Sequence, residues 1–344
     1  MTPDPRVDLS GVRHRTVHLH GTADGIDLHV AEMAEMGEGP LVLLVHGFPE
    51  SWYSWRYQLP ALAAAGYRAA ALDVRGYGAS SAPPAIEDYR MLRHVADNLA
   101  LVEALGERTA VIVGHDWGAP IAWASAHLRP DVFTAVAGLS VPFAPSGPTR
   151  PTDAFAAMGG GDEFYIAYFQ EPGRAEAEIE ADVRDWLRGM YFSASGEGVR
   201  ASIEAGGPPM GTVAAGGLMR DRFVWPAEAP AWMSEADLDV YVAEFAHHGF
   251  AGPLHRYRNV DRDWEDLAVL RHRPIDVPAL FVGGELDGPT VWGRSAIERF
   301  PKTLPRLHRS EILPGCGHWV QQERPDEVNA LLLDFLATVA PRPA

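Results

Sequence analysis

Short apolar runs rich in β-branched residues alternate with longer stretches of helical periodicity from the N-terminus to about residue 140, and the alternation returns after about residue 274. Runs without polar alternation are buried on both faces, and a parallel sheet covered on both sides by helices is the arrangement that buries them. The strand candidates are residues 41–46, 68–73, 110–114, 135–139, 279–283 and 307–313. Two earlier runs, 16–20 and 27–33, surround Gly21-Thr22-Ala23-Asp24-Gly25 and read as an antiparallel hairpin. Helical periodicity over 53–65, 89–105, 117–128 and 326–340 gives each strand a cover.

Between about 145 and 273 the alternation stops. The stretch opens on Pro142, Pro145, Pro148 and Pro151, then on Gly159-Gly160-Gly161, and continues with helical patterns over 176–191 and 234–248 joined by a Gly- and Pro-rich segment, 206–217. The expected organisation is a core formed by 1–144 and 274–344, with 145–273 as a helical insertion between two strands of one sheet.

Forty-six acidic against twenty-nine basic side chains leave a formal charge of −17, which repels polyanions and argues against nucleic acid or anionic membrane as partner. Cys316, the single cysteine, cannot close an internal disulfide. The start, Met1 to Asp8, has no basic segment leading into an apolar one, and no later run is long and apolar enough to insert in a membrane, so a cytoplasmic setting is expected. A homo-oligomer is compatible with the sequence but not assigned by it.

Four loops carry the chemistry. Val111-Ile112-Val113-Gly114-His115-Asp116-Trp117-Gly118-Ala119 runs a buried-strand pattern through Gly-x-Asp-x-Gly into a helical pattern. Small residues two before and two after Asp116 permit the sharp strand-to-helix turn that lifts a nucleophile into the open, although the usual occupant is Ser. Asp also caps helices routinely, and the motif alone does not choose between the two. His46-Gly47-Phe48-Pro49-Glu50 ends another strand, where the N–H groups of Phe48 and Trp117 would make a two-donor oxyanion hole; an ordinary turn would use the same Gly and Pro. Gly315-Cys316-Gly317-His318-Trp319 follows the last strand and offers His318 as a general base. Gly283-Gly284-Glu285-Leu286-Asp287 offers a carboxylate to hold the imidazole, with Asp287 preferred and Glu285 its rival.

All four lie at the carboxyl ends of expected parallel strands, in the order nucleophile, acid, base. Through His46-Gly47-Phe48-Pro49-Glu50, Gly114-His115-Asp116-Trp117-Gly118 and Gly317-His318-Trp319, from about residue 14 onward, the chain resembles the α/β-hydrolase fold superfamily and, within it, the epoxide hydrolases. The loop Asp73-Val74-Arg75-Gly76-Tyr77-Gly78-Ala79-Ser80 also looks like one of that family's, in a structural role. The resemblance implies an α/β fold with a helical cap. His46, Pro49 and Trp319 are then candidate pocket residues.

An Asp nucleophile narrows the substrate. Attack on an ester carbonyl would give an anhydride, whereas attack on a saturated carbon bearing a leaving group gives an ordinary ester that activated water can cleave. Epoxides and alkyl halides qualify. An opening epoxide generates a strongly basic alkoxide and needs an acid, for which Tyr suits. Phe164-Tyr165-Ile166-Ala167-Tyr168-Phe169 and Leu254-His255-Arg256-Tyr257-Arg258-Asn259 resemble cap segments of epoxide hydrolases, which puts the acid role on Tyr165 and Tyr257, with Tyr168 the neighbour most easily confused with Tyr165. Tyrosines in helical insertions more often simply pack.

The reaction expected is addition of water to a small apolar epoxide, giving a vicinal diol, with no cofactor and no metal. The rivals are a dehalogenase using the same Asp116, His318 and Asp287, and a non-catalytic protein that holds a small ligand. Val17-His18-Leu19-His20 and His247-His248 lack a third metal ligand, no phosphate-binding glycine motif is present, and Cys316 sits in the base loop as a small filler.

Overall fold

A computed structural model describes residues 9–20, 25–35, 37–226 and 228–341; Met1 to Asp8 and the Gly21 to Asp24 part of the expected hairpin turn lie outside them. The first part of the chain supplies β1 (Val12–His18), β2 (Asp27–Met33), β3 (Leu41–Val45), β4 (Arg68–Leu72), β5 (Ala110–His115) and β6 (Phe133–Leu139). Helices α1 (Gln58–Ala64), α2 (Met91–Ala104) and α3 (Gly118–Leu128) connect β3 to β4, β4 to β5 and β5 to β6. The chain then leaves the sheet for α4 (Pro151–Met158), β7 (Glu163–Phe164), α5 (Tyr165–Tyr168), α6 (Arg174–Ala181), α7 (Val183–Ala194), α8 (Gly196–Glu204), β8 (Thr212–Val213), α9 (Glu235–Phe245), α10 (Ala251–Tyr257) and α11 (Val260–Asp266). It returns through β9 (Ala279–Gly284), α12 (Gly288–Trp292), α13 (Arg294–Ile297), α14 (Phe300–Thr303), β10 (Leu307–Leu313), α15 (Val320–Glu323) and α16 (Pro325–Val339).

Among the described residues these strands form an eight-stranded sheet in the order β1-β2-β4-β3-β5-β6-β9-β10. Within this sheet only the β1–β2 and β2–β4 pairings are antiparallel. The side-chain alternation of β3 explains its two covers. Leu41, Leu43 and Val45 enter the core that includes α3 and the inserted helices, while Val42 and Leu44 enter the one built on α1 and α16. The register aligns the carboxyl ends: Val45 lies beside Gly114, His115 beside Leu139, and Leu139 beside Val282. Loops after β3, β5, β6 and β9 therefore open on one edge, where ligands bind in open α/β sheets.

Several expected elements change extent. β1 begins at Val12 and ends at His18 rather than spanning 16–20, because as an edge strand with a mostly exposed face it carries polar residues that hide its length. The 53–65 helix divides into a 3₁₀ turn, Trp52–Trp55, and α1. The 176–191 helix is two helices, α6 and α7, broken at Asp182, whose side chain accepts from the Asp185 N–H and so caps α7. The insertion also contains the two-residue pair β7–β8, which no alternation announced. Among the described residues, no helix is long and apolar enough to cross a membrane.

Candidate active site

Asp116 follows β5 directly and opens the turn into α3 with φ of 49°, in the left-handed region. The turn is possible because Gly118 has no side chain: a Cβ there would collide with the Val45 carbonyl. Gly47 is constrained likewise, since a Cβ would strike the Asp116 carboxylate and the Trp117 nitrogen. That close approach lets the Phe48 N–H donate to Asp116 Oδ1 at 2.8 Å. The other oxygen, Oδ2, lies 3.4 Å from His318 Nε2.

His318 Nδ1 lies 2.8 Å from Asp287 Oδ1, so Asp287 is the carboxylate that holds the imidazole. Glu285 turns away and accepts from the Gly315 N–H at 2.7 Å, shaping the base loop instead. Asp287 caps α12, and its Oδ2 receives Thr290 Oγ1 at 2.7 Å and Ser140 Oγ at 2.8 Å. Burial by itself would lower the His318 pKa, but the charges of Asp287 and Asp116 outweigh it and hold it well above its ordinary value.

The base loop is clamped to the insertion. The His318 N–H donates to the Ala194 carbonyl at the end of α7, and Glu323 receives the Gly196 and Gly317 N–H groups together. Behind Asp116, His115 bridges Glu50 and the His318 carbonyl, at 2.7 and 2.8 Å. Glu50 is wholly buried, and its oxygens also take the Gly47 N–H and the amides of Gln321 and Gln322. Burial raises its pKa, yet His115 and the Gly47 N–H prevail and lower it to about 2.

A cavity opens over this edge, lined by Asp116, His318, Tyr165, Tyr257, Met190 and Met219 among others. A second lobe is lined mostly by apolar side chains including Phe155, Met158 and Ile166. Asp116, Tyr165, Pro289 and Trp292 line both. The Tyr165 and Tyr257 rings stand 6.1 Å apart, and Tyr257 packs edge-on to Trp117 at 5.1 Å. Burial, reinforced by the Asp116 charge, raises both phenols, so both remain protonated donors at neutral pH. Tyr168 instead donates to Glu178 inside the insertion.

The three pocket candidates lie behind the site, tied to neighbouring loops. His46 is buried beside the turn, with Nδ1 2.8 Å from the Gly47 carbonyl and Nε2 accepting the Val74 N–H, so both nitrogens tie loops together. Pro49, after a cis peptide, gives its carbonyl to the Tyr191 hydroxyl. Trp319 is fully buried and donates its indole N–H to the Tyr191 carbonyl. None of the three is among the residues lining either lobe. Ser140, Thr290, His115 and Glu50 are the site residues without a sequence expectation; for the last two, the signal was their place inside the two quoted motifs.

The family model described as α/β hydrolase fold matches residues 40–192. Over 356 aligned residues the chain is 44% identical to Epoxide hydrolase B of Mycobacterium tuberculosis, covering 95% of this chain and 99% of that protein. The chain belongs to the epoxide hydrolases. It is also 45% identical to Epoxide hydrolase A of the same organism, over 91% of this chain and 95% of that protein. The solved structure of an epoxide hydrolase from an endophytic Streptomyces is 59% identical and superimposes with a TM-score of 0.88, covering 95% of each chain. The activity is thus epoxide hydrolysis, with a small-molecule epoxide and water as reactants. The relatives share the fold with this epoxide hydrolase almost from end to end, so the sheet edge described above is the place to look for its chemistry.

Proposed function

We propose that this epoxide hydrolase works through a covalent Asp116 ester. The observation that carries the reading is the division of labour on one carboxylate: Oδ1 is held by the Phe48 N–H, while Oδ2 faces His318 and the cavity that Tyr165 and Tyr257 also line. In the first step an Asp116 oxygen attacks an oxirane carbon, the carbon–oxygen bond breaks, and the released oxygen takes a proton from Tyr165 or Tyr257. The tyrosinate recovers its proton from the imidazolium of His318. Once Asp116 is an uncharged ester, one of the two charges raising the His318 pKa is gone, and the neutral imidazole becomes a base.

In the second step His318 Nε2 removes a proton from water as its oxygen bonds to the Asp116 carbonyl carbon. The Phe48 and Trp117 N–H groups face the oxyanion that forms. Collapse expels the alkoxide, which takes the remaining hydroxyl proton, and Asp116 returns as carboxylate beside an imidazolium. The net change is epoxide plus water to diol, and no cofactor or metal is called for. Asp287 supports the imidazolium through Nδ1.

In this reading residues 145–273 act as a cap whose α5 and α10 bring the tyrosines over a core made of 1–144 and 274–344. The two lobes meeting at Asp116 fit an apolar epoxide with a substituent on each side. A cytoplasmic setting goes with the reading, since Cys316 is a buried free thiol. Asp116→Ala is expected to abolish diol formation while leaving the protein folded; near wild-type turnover would remove Asp116 from the mechanism. Halide release from haloalkanes without diol from epoxides would move the same residues to dehalogenation.

A further inference from the structure

Among the described residues, two that are not glycine have positive φ, and both belong to the site: Asp116 at 49° and Ser140 at 72°. The left-handed region is sterically costly for any residue with a Cβ, so a second such residue beside the nucleophile asks for a reason. Ser140 directly follows β6 and is completely buried. Its backbone N–H donates to the Val282 carbonyl at 2.8 Å, and its carbonyl lies 3.0 Å from Thr290 Oγ1, whose single proton goes to the nearer Asp287 Oδ2.

With its backbone so held, the side chain sits between two members of the site. Oγ is 2.8 Å from Asp287 Oδ2 and 3.0 Å from His318 Nδ1. A hydroxyl has one proton, and a carboxylate oxygen can only accept it, so the Ser140 proton belongs to Asp287 and the Oγ lone pairs face Nδ1. Nδ1 then meets two acceptors, Ser140 Oγ and Asp287 Oδ1 at 2.8 Å. It must carry hydrogen, which leaves Nε2 as the nitrogen that exchanges protons on the Asp116 side.

We propose that Ser140 is a positioning residue for the hydrolytic half of the reaction, locking Asp287 against the imidazole and fixing the tautomer in which Nε2 can take a proton from water. The proposal rests on the covalent-ester reading given above. Cleavage of the carbon–oxygen bond turns on Asp116 and the cap tyrosines, and the Ser140 side-chain hydrogen bonds go to neither; His318 only returns the tyrosine's proton after that bond has broken, whereas in hydrolysis it must take the proton from water. Its loss therefore falls on ester hydrolysis.

The test compares Ser140→Ala and Ser140→Gly with wild type on styrene oxide, by rapid quench and mass spectrometry of the alkylated enzyme. Glycine adopts the left-handed backbone freely, so it removes the hydroxyl without straining the turn and separates the two contributions. Both variants are expected to slow ester hydrolysis by about 10- to 100-fold, the size of losing one hydrogen bond to a charged group. Alkylation should change by less than about 3-fold, so that kcat and KM fall together and kcat/KM is kept. Equal slowing of both steps, full activity in Ser140→Gly, or unchanged hydrolysis in both variants would overturn the proposal while sparing the ester mechanism. A wild-type enzyme that turns over with no ester would overturn both.

Discussion

Replacing Glu50 by Gln removes one charge from a place where nothing can take it up. The carboxylate accepts from the Gly47 N–H and from the amides of Gln321 and Gln322, and it pairs with His115. The new amide would aim its NH₂ at groups that already donate. Gln322 cannot turn to suit it, because its Oε1 already accepts from Arg56 and from the Tyr241 hydroxyl. A carboxyl taken from its ordinary 4.5 to about 2 on folding contributes about 3 kcal/mol at neutral pH. That is a sizeable share of the roughly 5–15 kcal/mol that holds a typical domain together. For a chain of 344 residues it corresponds to about 4 °C in Tm. The folded pKa is depressed, so the contribution is complete above 4.5 and fades as pH falls toward about 2. Urea unfolding of wild type and Glu50→Gln across acidic and neutral pH reads both magnitude and sign. A difference below about 1 kcal/mol at neutral pH, or one that grows as pH falls, would refute the reasoning.

Three further outcomes are expected. Tyr165→Phe and Tyr257→Phe should each lower kcat/KM for an epoxide by about 10- to 100-fold, and the double variant should lose more than the product of the two, because no donor then faces the developing alkoxide; strictly multiplicative losses would argue against a shared charge. His318→Gln should still be alkylated but release no diol, leaving a stable adduct on the peptide carrying Asp116; steady turnover would remove His318 as base. The half-buried Glu244 receives the Trp52 indole N–H, and burial together with the Asp73 charge raises its pKa. A raised folded value means its stability contribution is complete below 4.5 and lost as pH rises, so Glu244→Gln should raise Tm near neutral pH and leave it unchanged near about pH 4; a lower Tm at neutral pH would contradict this.

The parts legible in the sequence were those in which local chemistry and tertiary position agree. Central strands such as β3 and β5 are apolar throughout, and the residues around Asp116 allow one sharp turn and little else, so strand, turn and helix could be read together. Asp287 could be preferred over Glu285 but not separated from it by spacing, since both follow β9 within three residues; the separation lies in the cap that Asp287 makes on α12. Ser140 could not be read at all. A serine after a strand is ordinarily a loop residue, and it becomes part of the site only because β6 lies against β9 in a register that brings it to Asp287. The placement of His46 and Trp319 is hidden for a related reason. His46 and Trp319 flank chemical residues in sequence, yet one end of each motif faces the cavity and the other is spent tying loops to neighbouring elements. Helix breaks inside the insertion, as at Asp182, hide because the capping residue is acidic and sits comfortably in a helical pattern.

The central claim is that water reaches the product through the enzyme. A single turnover in H₂¹⁸O, with enzyme in excess over styrene oxide, tests it directly by mass spectrometry of the diol and of the peptide containing Asp116. The account predicts a first diol whose added oxygen is ¹⁶O, with ¹⁸O left on Asp116. A first diol already carrying ¹⁸O, with Asp116 unlabelled, would mean that water attacks the epoxide itself and that the ester does not form.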